Sequence, residues 1–86
     1  MDINQLIEIV KRKIRQNMPC DKVEVEDKTF LHQNHQSHQN NKCHLKLKIK
    51  SLYLKKKNKI ESSKKIYKIL DEELKKNIHS IQILID

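Results

Sequence analysis

The chain has 86 residues, 19 Lys+Arg against 11 Asp+Glu, a net charge of +8 and no glycine. That length holds one domain with a small core. The missing glycine excludes glycine-dependent phosphate loops and dinucleotide fingerprints, and with them the common nucleotide enzymes. Two cysteines and no secretory signal argue against a disulfide framework and for a reducing compartment, the cytoplasm. No apolar run approaches the ~20 residues of a membrane span, and no membrane partner is expected.

Asp2 with Gln5 three residues later forms a capping box signature, followed by Ile3, Leu6, Ile7, Val10 and Ile14 at helical spacing. Pro19 stops this helix at or before Met18. Val23 and Val25 alternate with Lys22, Glu24 and Glu26, the pattern of a short strand with one buried face.

A polar run follows, from His32 to His44, holding four of the five histidines and Cys43. It has no period and reads as a flexible His/Gln/Asn-rich loop at about 30–43. Imidazole and thiolate are the usual ligands of zinc, copper and iron–sulfur centres. His32, His35 and His38 are spaced His-x-x-His-x-x-His, but in Gln/Asn-rich surroundings they read as low-complexity residues.

Leu45, Leu47 and Ile49 then alternate with Lys46, Lys48 and Lys50, the clearest strand in the chain. Leu52 to Lys59 reads as a basic connection with a helical turn. Ser62 or Ser63 is the expected cap of a second long helix, with Ile66, Tyr67, Ile69, Leu70 and Leu74 on its inner face. A last strand is expected from about Ile78 to Ile85, with His79, Ile81, Ile83 and Ile85 on one face.

The order helix-strand-strand-helix-strand specifies an α+β two-layer sandwich, a three-stranded mixed sheet with helices on one face. The strands joined by a helix should run parallel. Their starts then lie at the same end of the sheet, which brings His79 toward Cys43 and His44. The single domain is expected to span 1–86.

Val23-Glu24-Val25-Glu26-Asp27-Lys28-Thr29, the His/Cys loop and Leu45-Lys46-Leu47-Lys48-Ile49-Lys50-Ser51 resemble the first two strands of BolA-like proteins. Leu70-Asp71-Glu72-Glu73-Leu74 followed by Ile78-His79-Ser80-Ile81 is similar to the family's second half. The acidic first strand and Cys43 look most like the cytosolic and nuclear branch. Ser62-Ser63-Lys64 stand where the family usually has Arg-His-Arg, and Lys56 where it has glycine.

The resemblance implies a fold related to the type II KH domain and a non-enzymatic adaptor in iron–sulfur trafficking or iron sensing. It implies a monothiol glutaredoxin as partner, the protein being a monomer alone and a heterodimer with it. A [2Fe–2S] cluster is then shared, with His79 as one ligand and a His or Cys of the loop as the other. Cys43 is the first choice for the second ligand, with His32 and His44 behind it. The competing reading is a basic nucleic-acid-binding transcriptional regulator. The absence of glycine for a Gly-x-x-Gly loop and an aromatic content of 3% leave only weak, electrostatic nucleic-acid binding to expect.

Overall fold

The computed structural model describes residues 2–29 and 42–86. Helix α1 (Ile3–Asn17) opens on the expected capping box, Asp2 and Gln5 each accepting from the other's backbone N–H. It buries Leu6, Val10 and Ile14, the i, i+4, i+8 stripe of its sequence. Its C-cap is Met18, one residue before Pro19, which disfavours helical backbone at the position preceding it.

Three strands form one sheet in the order β1-β2-β3. β1 (Lys22–Asp27) runs antiparallel to β2 (Cys43–Lys50), and β2 pairs in parallel with β3 (Ile78–Ile85). The sheet is therefore mixed, as the element order required. Leu45, Leu47 and Ile49 of the central strand are buried with Val23, and they meet α1 and the later helices in a single core. Along the opposite face Glu24 stands beside Lys48 and Glu26 beside Lys46. Opposite charges at directly paired positions favour this register, and a slip by one residue would turn the aliphatics outward.

Between β2 and β3 the chain makes three helical pieces: α2 (Leu52–Lys55), α3 (Lys59–Ile69) and α4 (Asp71–Lys76). Ser51 caps α2 by accepting from the Leu54 N–H, and its hydroxyl donates to the Pro19 carbonyl at 2.7 Å. Two expectations are corrected here. The cap of α3 is Asn58, which accepts from the Glu61 N–H at 2.8 Å, and neither Ser62 nor Ser63. Ser62 instead lies a turn inside the helix, fully buried, where its hydroxyl donates to the Leu54 carbonyl. Tyr67 is 45% exposed and does not join the inner face. Asn58 with Glu61 three residues on forms the cap, which leaves the Ser62 hydroxyl free to bond the docked α2.

The long helix is also broken at Leu70, which is buried and belongs to neither α3 nor α4 by dihedral angle. Leu70 is buried while Asp71 and Glu72, the first residues of α4, are exposed. The domain boundary expectation for the loop, about 30–43, lies largely outside the described residues, with β2 already starting at Cys43.

Candidate functional site: a histidine pair at one end of the sheet

The parallel pairing of β2 with β3 places Cys43 opposite Ile78 and His44 opposite Ser80. One step along β2 thus matches two along β3, and His79 is the extra residue of this irregularity. The alternation expected for β3 changes accordingly. Ile78 is 1% exposed and sits in the core, while Ile81, Ile83 and Ile85 pack against that same core. Two residues separated by an odd number share the core side because the bulge resets the pleat, and His79 is left exposed. An apolar residue at 78 takes the buried place that simple alternation would have assigned to the histidine.

The consequence is a pair of imidazoles. The rings of His44 and His79 lie with centroids 4.9 Å apart, tilted by 55°. His44 is oriented by its neighbours: Nδ1 is 2.6 Å from the Ser80 hydroxyl, and its backbone N–H donates to Oγ1 of Thr29 at 3.2 Å. Its carbonyl accepts from the Lys28 N–H at 2.7 Å, which continues the β1–β2 ladder past Asp27. Thr29 is itself fixed by Asp27, whose carboxylate accepts from both its backbone N–H and its hydroxyl. With Nδ1 engaged by Ser80, ligation of a metal by this ring would fall to Nε2.

Cys43 is next in sequence but differently disposed. It packs against the core with Leu45 and Leu47. Burial pushes its thiol above the usual cysteine range, and the Asp27 carboxylate adds to this, while a side-chain hydrogen bond with Thr29 opposes it. The backbone N–H of Cys43 donates to the Asn77 carbonyl at 2.8 Å, which ties the start of β2 to the turn ahead of His79.

Sequence reasoning therefore located the neighbourhood, with His79 next to the start of β2. Its preference for Cys43 over His44 rests on thiolate softness and an anchored backbone, whereas the bulge sets the His44 ring beside His79. His32, the remaining candidate ligand, and His35 and His38 lie outside the described residues. Among the described residues no three His, Cys, Asp or Glu side chains gather to hold a metal by themselves.

One supporting contact carried no signal in the sequence. Glu73 on α4 is buried, and both its carboxylate oxygens accept from the Lys13 ammonium of α1, at 3.0 and 2.8 Å. The Glu73 carbonyl also accepts from the Asn77 N–H. The turn into β3 is thereby anchored to the first helix, sixty positions away in sequence.

A small α+β domain with helices packed on a three-stranded mixed sheet, and a histidine pair where two parallel strands begin, is the class these features define. The chain belongs to the BolA-like protein family, whose model matches residues 14–85. Its fold is similar to the BolA domain of SufE1 from Arabidopsis thaliana, with a TM-score of 0.81 and 24% identity over 99% of this chain and 94% of that one. It is similar also to BolA1 from Arabidopsis thaliana, with a TM-score of 0.76 and 20% identity over 93% of this chain and 88% of that one. No curated protein matches the sequence.

Proposed function

We propose that this domain is a non-enzymatic adaptor that binds a monothiol glutaredoxin and lends ligands to a [2Fe–2S] cluster shared between the two, in iron–sulfur trafficking or iron sensing. The observation that carries this reading is the pairing of His44 and His79, 4.9 Å apart at the head of two parallel strands. Family membership supports it. The donor chemistry fits: imidazoles serve as ligands in place of cysteine on one iron of some [2Fe–2S] centres. Two side chains do not complete an iron's coordination, so a metal held here needs further ligands, and a partner's thiolates would supply them.

His79 would be one ligand. For the other, the ring contact favours His44 over Cys43, whose thiol is turned to the core and resists deprotonation. Ser80 would hold the His44 ring in place. When bound, such a cluster supplies one-electron chemistry at a potential raised by its imidazole ligands, which are protonatable near neutral pH. That suits a cluster that is transferred or sensed. A cytoplasmic or nuclear location is part of this reading, since a reducing compartment would keep both free cysteines as thiols.

The test is a titration of the protein with a cluster-loaded monothiol glutaredoxin, followed by visible absorption and circular dichroism. His79→Ala and His44→Ala are expected to change the spectrum of the mixture while leaving far-ultraviolet dichroism as it was, and Cys43→Ala to change it least. Spectra that respond to Cys43→Ala and not to His44→Ala would restore the cysteine as second ligand. No spectral response from the wild-type protein, together with tight duplex-DNA binding that weakens steeply with salt, would favour the nucleic-acid regulator instead.

A further inference from the structure

The positive charge of the chain is unevenly placed. Residues 52–68 hold seven lysines against a single acid, Glu61, within a chain whose net charge is +8. The same segment holds four of the five exposed large hydrophobic residues found among those described: Leu52 (70%), Ile60 (69%), Tyr67 and Tyr53. On α3 the outward positions Ile60, Lys64, Tyr67 and Lys68 recur at i, i+4, i+7 and i+8, opposite the buried Ser62 and Ile66. This helix is therefore amphipathic twice over, with a core stripe inside and a mixed apolar and basic stripe outside. α2 is fastened to it by the Ser62 hydroxyl on the Leu54 carbonyl and by Lys65, whose ammonium lies 5.6 Å from the Tyr53 ring centroid, while Lys57 of the connecting turn lies 4.9 Å from the same ring. Glu61 is engaged at the helix cap, where its carboxylate accepts from the Asn58 side chain.

We propose that the outward face of α2 and α3 docks on the surface of an anionic lipid bilayer, with lysines at the headgroups and Leu52 and Ile60 entering the acyl boundary. Three polyanionic partners would meet such charge, and the residue types separate them. Nucleic-acid recognition makes heavy use of arginine, yet the chain's two arginines, Arg12 and Arg15, are both on α1. Aliphatic side chains also add nothing to a phosphate backbone, and the Tyr53 ring is occupied by lysines rather than open for stacking. Protein interfaces are depleted of lysine. Lysines around exposed aliphatics, with tyrosines beside them, match the composition of helices that lie in a membrane interface. That no helix among the described residues is long and apolar enough to cross a membrane does not bear on a helix lying along its surface. The face is separate from the His44–His79 pair, and the proposal stands or falls independently of the cluster.

Flotation of the purified protein with vesicles tests it, using phosphatidylcholine alone and phosphatidylcholine mixed with phosphatidylserine. Binding is expected only to the mixed vesicles. Since each lysine near an anionic surface contributes roughly a fivefold gain in partitioning, Lys64→Glu with Lys68→Glu should abolish the bound fraction. Leu52→Ser with Ile60→Ser, which leaves the charge unchanged, should lower partitioning at least about a hundredfold. All four side chains point to solvent, and circular dichroism checks that the variants fold. Failure of the wild-type protein to float with anionic vesicles would overturn the proposal. So would equal binding by the serine variant, or displacement of the protein by duplex DNA at equal phosphate, because either result means charge adsorption alone.

Discussion

At the scale of single residues, Cys43 shows how packing sets reactivity. Free cysteines become reactive as thiolates, and burial beside Asp27 keeps this thiol protonated above the usual range. Cys43 should therefore react with iodoacetamide at pH 8 more slowly in the folded protein than in the denatured chain, as residue-resolved mass spectrometry would read. Equal rates would mean that the side chain is not held against the core. The same shift has a sign in stability. The folded state binds this proton more tightly, so the contribution is present below the ordinary thiol value and is lost as pH rises through the raised one. Glu24 and Glu26 run the opposite way. Hydrogen bonds from Lys22 and Lys28, respectively, lower their carboxyls. Their contribution is present above the ordinary carboxylate range and fades as acid titrates them, and solvent screening at these half-exposed side chains keeps it small.

At the scale of elements, the crossover between β2 and β3 is held by side chains inside helices as much as by caps. Glu73 matters most. Removing one partner of a buried ion pair leaves the other uncompensated, which costs several kcal/mol when both are fully enclosed. Lys13 keeps 27% of its side-chain exposure and can recover water. Glu73→Ala is accordingly expected to destabilise by only about 1–2 kcal/mol in urea unfolding, and Glu73→Gln by less, since the amide oxygen still accepts from Lys13. A loss within error for Glu73→Ala would show that α4 docks through Leu70 and Ile78 without help from the pair. The Leu70 break and the Asn58 cap belong to this scale too. The cap has a local signal, Asn58 followed three residues on by Glu61, whereas the break at buried Leu70 has none.

At the scale of the whole molecule, a net charge of +8 on 86 residues opposes compaction through self-repulsion. The four surface ion pairs seen among the described residues offset little of it. Raising sodium chloride from ~10 mM to ~150 mM shortens the Debye length from about 30 to about 8 Å. The midpoint of thermal unfolding should then rise by several degrees, about 1 kcal/mol for a domain of this size. A fall in midpoint would mean that favourable pairs outweigh the repulsion.

The fold class was legible because period carries it. Alternating aliphatics over Leu45 to Ile49, the capping box at Asp2 and the helix between two strands leave few topologies that bury one face of each element. The neighbourhood of His79 and the start of β2 followed from that topology alone, since parallel strands begin at the same end. Tertiary structure decided the finer matters. The one-residue bulge that sends Ile78 to the core and His79 toward His44 depends on the pairing of two strands over thirty positions apart, and no local pattern in either strand records it. Ser62 as a buried donor and Glu73 as the partner of Lys13 were likewise hidden, because burial of a polar side chain is settled by what a distant element presents to it.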